Sequence, residues 1–371
     1  MIKPIPFIDL SYQTRKINKN VKQKWEEAIK NSSFVMGNSL SKFENEFSKY
    51  NAIKYSVGVG NGGDAIELAL RALKLPQNST VLLPVNTFIA TATAISRAGL
   101  RVKFVDVNQK DGLINFEKLF SSKFNKTSCV VPVHLFGFMV DVETLKNNLK
   151  KDIKIIEDSS QAHGAKYNSY SPGNFSSAAT YSFYPGKNLG AFGDGGALTT
   201  NYKTIKENTM LLRNYGSIKK YDHKVIGFNS RLDPLQAIVL SEKLKFLDRW
   251  NIERKLNFYK YEKYLEEINE VRFLKSPDKS DSVYHLTVAK VKKRNDLIKH
   301  LEQHQISTLI HYPIPLHKTK AYKNYEYING EFSNAEKLAK NIISFPNYPG
   351  MSEKQIVYVC EKIKNFYQKS K

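Results

Sequence analysis

The chain reads as an α/β protein. A large domain over residues 1–245 carries a mainly parallel, seven-stranded sheet flanked by helices, and a smaller α+β domain follows over residues 246–371. Three observations predict this. Between about residues 52 and 200, short apolar runs alternate with stretches at helical spacing, the pattern of strands joined by crossover helices. A glycine-rich turn, Gly58-Val59-Gly60-Asn61-Gly62-Gly63, lies where the first strand meets the first of those helices. After Pro277 the pattern changes to strand-like alternation in Val283-Tyr284-His285-Leu286-Thr287-Val288-Ala289, with short elements to the C-terminus.

In order, Tyr55-Ser56-Val57-Gly58-Val59 is the first strand, and the helix from Asp64 to Leu73 sets Ile66, Leu68, Ala69, Leu70 and Leu73 at helical spacing. Val81-Leu82-Leu83-Pro84-Val85 is the second strand and residues 90–98 the second helix. Further strands are expected at residues 102–106, 128–133, 153–157, 180–183 and 197–199. Residues 230–270 read as mostly helical, beginning with Gln236-Ala237-Ile238-Val239-Leu240. In a mainly parallel sheet, ligands collect at the carboxyl ends of the strands.

The 371 residues are 41% hydrophobic and 25% charged, ordinary for a soluble globular protein. The formal charge of +22 invites a nucleic-acid reading. The basic residues, however, are scattered along the whole chain, with no basic arm and no zinc-finger or RNA-recognition motif. Such a field also suits a phosphorylated cofactor and a nucleotide substrate. Only Cys129 and Cys360 are cysteines; Cys129 sits in an apolar run, so a buried thiol is expected rather than a disulfide or metal site. The first ten residues lack the apolar run of a signal peptide, and no stretch approaches a membrane span. A cytoplasmic protein is expected, without membrane or nucleic-acid partners.

A lysine set among aromatics and glycines, Ser182-Phe183-Tyr184-Pro185-Gly186-Lys187-Asn188-Leu189-Gly190, follows the acidic strand end Ile155-Ile156-Glu157-Asp158 by one strand-loop-strand excursion. That pair is what a pyridoxal 5'-phosphate (PLP) site needs: an amine to form a Schiff base, and a carboxylate to keep the pyridine nitrogen protonated. On these two residues alone, a solvated loop lysine and a strand-end cap account for the pattern equally well. The turn at residues 58–63 fits G-x-G-x-x-G, but after Glu67 the next carboxylate is Asp106, so the acid expected of a dinucleotide site is missing. The free amides of Gly63 and Asp64 at the helix start can instead bind an anion. Phe88, after the second strand, can stack on a flat ring, Gln161 can donate to a ring oxygen, and the Ser182 hydroxyl can hold a phosphate oxygen. His163 can orient Asp158 or touch substrate, or be a structural histidine.

Taken together, residues 157–165 (Glu-Asp-Ser-Ser-Gln-Ala-His-Gly-Ala), residues 182–196, Arg213-Asn214-Tyr215-Gly216-Ser217 and residues 227–237 resemble the DegT-type nucleotide-sugar aminotransferases, PLP enzymes of fold type I. The likeness runs from Phe7-Ile8-Asp9-Leu10 to the segment His311-Tyr312-Pro313-Ile314-Pro315-Leu316-His317. It implies that Lys187 binds PLP covalently, that Asp158 pairs with its pyridinium, and that Gln161 and Phe88 contact its ring. It also implies a phosphate held by Gly63, Asp64 and Ser182, with Asn229 reaching the phosphate of the neighbouring subunit, hence a homodimer with shared sites. Glycine at position 63 departs from the hydroxyl residue common in relatives. Histidine replaces the lysine in a dehydrating branch of the family, which Lys187 argues against.

The activity implied is transfer of an amino group from glutamate to C3 of a dTDP-linked 3-keto-6-deoxyhexose, for the sugars of surface polysaccharide or lipooligosaccharide. The alternatives are C4 amination of a UDP- or GDP-4-keto-6-deoxyhexose and a non-catalytic regulatory member. Tyr184, Tyr221, His311 and Tyr312, with His163, are the residues expected near the sugar nucleotide, and no metal is expected.

Overall fold

Seven strands assemble into one sheet in the computed structural model, which describes residues 4–121, 126–323 and 332–368. They are β1 (Tyr55–Val59), β2 (Thr80–Pro84), β3 (Arg101–Val105), β4 (Thr127–Val130), β5 (Lys154–Asp158), β6 (Ala178–Ser182) and β7 (Gly196–Thr200), in the order β1-β7-β6-β5-β4-β2-β3. Only β7 runs against its neighbours; the other pairings are parallel. Val81, Leu82, Leu83, Ile155 and Ile156 are all buried, because helices cover both faces of such a sheet and successive side chains on either face find a core.

Two N-terminal helices, α1 (Ser11–Lys30) and α2 (Asn38–Tyr50), precede the sheet and were not legible from the alternating pattern. In α2, Leu40, Phe43 and Phe47 fall on one face and are buried. The Phe43 ring centroid lies 5.4 Å from that of Phe183, and Phe47 lies 4.9 Å from Tyr181. This aromatic cluster backs β6 where the strand leads into Lys187. The crossover helices α3 (Gly62–Ala72) and α4 (Ile89–Arg97) begin just beyond the carboxyl ends of β1 and β2. Asn61, Phe88, Asp158 and Ser182 are thereby set along one edge of the sheet.

The C-terminal part is built on an antiparallel sheet of three strands, β8 (Val271–Phe273), β9 (Thr287–Val291) and β10 (Ile342–Phe345). The sequence pattern predicted a strand from Val283, but it begins at Thr287. The Val283 and Leu286 amides bond instead to the Gly137 and Phe136 carbonyls at 3.1 and 3.2 Å, so this segment lies along a turn of the large domain. The expected division at residue 245 falls between α6 (Pro234–Leu244) and α7 (Leu247–Tyr264), with α5 (Lys203–Leu212) before them. Along α7, Leu247 packs with Phe183 and Tyr261 packs with Phe345 of β10. Ile5 bridges to Ile306, so the N-terminal segment is stitched to the C-terminal part.

Asp106, just beyond β3, joins the two parts. Its carboxylate accepts from the backbone amides of Val107 (2.8 Å), Asn334 (3.1 Å) and Ala335 (3.0 Å), the last two in the first turn of α8 (Ser333–Asn341). Helix-start amides have no partner within the helix, so a side-chain acceptor stabilises them. Asp106→Ala should lower the free energy of unfolding by about 2 kcal/mol, read as a shifted urea midpoint; an unchanged midpoint would refute the joint.

Candidate active site

The carboxyl edge of the sheet opens into a cavity of about 630 Å³, the size of a small-molecule site. Its anion wall is the start of α3. The Asn61 side chain caps the helix by accepting from the Asp64 amide at 2.9 Å, which removes one of the two donors expected there. The Asp64 carboxylate is also engaged, accepting from the Ser230 hydroxyl at 2.7 Å and pairing with Arg97 at 3.2 Å. Among the described residues none accepts from the Gly62 or Gly63 amide, and both glycines line the cavity. Gly62 lies hard against Ser182: a Cβ there would sit 2.6 Å from the Ser182 Cβ. Only glycine lets this helix start reach the serine, whose hydroxyl oxygen accepts from the Tyr184 amide at 3.3 Å and keeps its own proton to donate.

The carboxylate wall is Asp158, 4% exposed at the end of β5. Its Oδ2 accepts from the Thr91 hydroxyl at 2.7 Å and its Oδ1 from the Ser160 amide at 3.1 Å. Gln161 is oriented without ambiguity: its Oε1 accepts from the Phe136 amide at 2.7 Å, so its Nε2 donates, to the Tyr312 hydroxyl at 3.2 Å. Burial and the Asp158 charge hold that phenol protonated. The Phe88 ring, 57% exposed, stands 5.9 Å from the Tyr312 ring.

Lys187 is half-buried between these walls, and its backbone amide is tied to the Tyr184 carbonyl at 2.8 Å. Burial lowers its pKa to about 8, against the opposing pull of Asp158. His311 stacks on Phe7 at 5.7 Å and bonds Ser344 at 2.8 Å. Burial, then the Lys187 charge, lowers its pKa to about 4. Tyr184 stands at the mouth of the cavity, 61% exposed.

Sequence reasoning missed two contributors. Thr91 stands one turn after Thr87 in the helix that Phe88 opens, and their hydroxyls are 3.1 Å apart; that spacing was readable. His285 was not, because a distant chain of hydrogen bonds places it. The Asn251 Nδ2 donates to the His163 carbonyl (2.8 Å), and the Asn188 Nδ2 donates to the Asn251 Oδ1 (2.8 Å) and the Val283 carbonyl (3.2 Å). The Asn188 Oδ1 therefore faces the His285 Nδ1 at 2.8 Å, and that nitrogen carries the proton. Asn188 follows Lys187 directly, so the chain also anchors the lysine.

Three expected residues lie outside this cavity. His163 is fully buried beside the rings of Tyr181 (5.4 Å) and Phe183 (5.8 Å), and burial lowers its pKa to about 3. It neither bonds Asp158 nor meets the cavity, so the expectation of a substrate contact is corrected. Tyr221 is 83% exposed on the hairpin of residues 217–223, and its backbone is left-handed (φ 67°). Asn229 is exposed and bridges Asn214. Neither of these two reaches the cavity of its own chain.

A phosphate-sized anion cradle, a fixed carboxylate, an amide donor, an exposed ring and an amine thus surround one space, and that donor set fits PLP. Among the described residues no cluster of His, Cys, Asp or Glu is placed to hold a metal, and no helix is long and apolar enough to cross a membrane. Both cysteines are free and buried.

Comparison with known proteins agrees with this chemistry. The family model described as the DegT/DnrJ/EryC1/StrS aminotransferase family matches residues 15–364. The dTDP-3-amino-3,6-dideoxy-alpha-D-galactopyranose transaminase of Aneurinibacillus thermoaerophilus is 39% identical, over 98% of this chain and 99% of that protein. The pleiotropic regulatory protein of Geobacillus stearothermophilus is 38% identical, over 98% and 99%. The crystal structure of S. venezuelae DesV in complex with a ketimine intermediate superposes with a TM-score of 0.95 at 34% identity, covering 98% of this chain and 99% of that one.

Only a neutral amine attacks an aldehyde, and the Lys187 pKa of about 8 lies below its ordinary value. The rate of PLP capture by the cofactor-free protein should therefore rise with pH and level off above about 8. A rise continuing to the ordinary lysine range in stopped-flow absorbance would show that the amine is not desolvated.

Proposed function

The chain belongs to the DegT/DnrJ/EryC1/StrS aminotransferase family and is a PLP-dependent sugar aminotransferase, and from that premise we propose that it moves an amino group from glutamate to C3 of a dTDP-linked 3-keto-6-deoxyhexose. The observation that carries this substrate is the 39% identity, over nearly the full length of both chains, to a transaminase of a dTDP-3-amino-3,6-dideoxy sugar. The net charge of +22 suits a diphosphate-bearing substrate. We place the enzyme in the cytoplasm, as a homodimer supplying amino sugars for a surface polysaccharide or lipooligosaccharide. A regulatory role, as the name of the Geobacillus relative states for that protein, would leave the joint presence of Lys187, Asp158 and Gln161 around one cavity without a use.

When bound, PLP supplies an electron sink for the charge left when a proton leaves the amino-bearing carbon. The chain's own residues do the rest. Gly62, Gly63 and Ser182 would donate to the phosphate. Asp158, oriented by Thr91 and the Ser160 amide, would keep the proton on the pyridine nitrogen. The Gln161 Nε2 would donate to the ring oxygen, and Phe88 would lie against the ring. The Lys187 Nζ would tether the cofactor and, as the amine lining the cavity with a lowered pKa, would serve as the base that moves a proton between carbons. Tyr184, His311 and Tyr312 border the sugar, with His311 neutral and therefore free to accept or donate one hydrogen bond. Asn229 and Tyr221 serve the site of the neighbouring subunit.

Lys187→Ala should keep the wild-type melting temperature and lose turnover by about 10⁴-fold or more. Incubation of the wild type with glutamate and a panel of dTDP-, UDP- and GDP-ketosugars should give a 3-amino product from the dTDP-3-keto sugar; a 4-amino product, identified by NMR, would refute the C3 assignment. Sharing of the site has its own test. Mixing Lys187→Ala with Asn229→Ala subunits should restore about a quarter of wild-type activity, because half the dimers are mixed and each mixed dimer has one intact site. No recovery would mean that Asn229 acts within its own chain.

A further inference from the structure

A second lysine is withdrawn from water behind the loop that carries Lys187. Lys243, in the last turn of α6, is 1% exposed. Its ammonium donates to the Gly190 carbonyl at 2.6 Å and lies 4.9 Å from the Phe192 ring centroid. Among the described residues no carboxylate is within ion-pair distance of it; the adjacent Glu242 pairs with Lys24 and Lys245 instead. Burial lowers the Lys243 pKa to about 8. A buried cation with one carbonyl and one ring face for company destabilises a fold relative to an apolar side chain of the same length. Its presence calls for a use.

The carbonyl it holds lies at the neck of the loop. A Cβ on Gly190 would sit 2.3 Å from the Pro185 carbonyl oxygen and 2.8 Å from that of Tyr184, so the two limbs touch there through backbone and Lys187 stands between them. The Ala191 amide closes the base on the Phe183 carbonyl at 2.8 Å. The same face of α6, two turns earlier, supplies a second hold, where the Gln236 Oε1 accepts from the Phe192 amide at 2.8 Å. The far limb of the loop is therefore fixed to α6 at two points, and the near limb continues β6.

We propose that Lys243 is a positioning residue for the Lys187 amine: its ammonium fixes the neck of the loop and so sets where that amine enters the cavity. The proposal rests on PLP binding through Lys187. It separates two quantities that a purely structural lysine would change together, the stability of the cofactor-free fold and the affinity for the cofactor.

The test uses full-length Lys243→Met, which keeps length and bulk but has no donor. Melting temperature is measured with and without PLP, and PLP dissociation is followed by the visible absorbance of the bound cofactor. The cofactor-free variant should melt at or above the wild-type temperature. The dissociation constant for PLP should rise about tenfold, as for one lost charge-assisted hydrogen bond, and the temperature gained on adding PLP should shrink. Lys243→Gln, which keeps a shorter donor, should recover part of the affinity. Unchanged PLP affinity, or an equal fall in melting temperature with and without PLP, would overturn the proposal. Lys243→Leu repeats the measurement should the methionine variant fail to fold. A wild-type protein that takes up no PLP would overturn the cofactor reading and this proposal together, a failure visible before any substitution.

Discussion

The structure turns on one demand: an amine and a carboxylate must both be kept from water at the edge of a sheet without neutralising each other's use. Burial alone disfavours either charge. The protein meets this with fixed donors on the carboxylate side. Asp158 takes hydrogen bonds from Thr91 and the Ser160 amide, both set by α4 and by the turn after β5. Lys187 is treated differently, left with the distant pull of Asp158 and little solvent, so its amine stays close to losing its proton at neutral pH.

The layer beneath is built for rigidity. Glu157, next to Asp158, is fully buried and accepts from the Gly173 amide at 2.7 Å, the Ser176 hydroxyl at 2.5 Å and His134 at 2.7 Å. The His134 Nδ1 accepts from the Val140 amide at 3.0 Å, so it bears no proton and the Nε2–H is the donor to Glu157. Every partner in this set is directional, and β5 cannot slide without breaking several bonds at once. On the other side, Arg213 holds the turn into α3: its Nη1 donates to the Gly58 carbonyl at 2.7 Å and to Glu44, while Glu44 accepts from the Gly58 amide at 2.8 Å. Both backbone groups of one strand residue are thus held by a single ion pair just ahead of the anion-binding turn.

Close backbone approach is the other economy. Gly62 meets Ser182, and a Cβ on Gly196 would sit 2.3 Å from the Asn61 carbonyl oxygen. The start of α3 is therefore pressed between the end of β6 and the start of β7, which brings the Gly62 and Gly63 amides beside the Ser182 hydroxyl. This also accounts for the one expectation about the phosphate cradle that had to shift by a residue. The pattern of residues 58–64 announced a helix start, but which amides are free depends on whether Asn61 points its side chain back to cap the helix, and it does.

What the sequence determined by itself is what periodicity and local order encode: the strand and helix alternation from residue 55 to 200, the mainly parallel sheet, and the succession of glycine turn, Phe88, Asp158 and Lys187 that puts these groups at successive strand ends. Those signals are short-range, so they survive without knowledge of packing. The tertiary structure decided the rest. It reversed β7 against its neighbours, buried His163 among aromatics, brought His285 in through a chain of asparagines more than sixty residues apart, and left Asn229 and Tyr221 facing away from their own cavity. Each of these depends on which distant segments meet, and a side chain's partner across such a contact is set by packing that no local pattern contains.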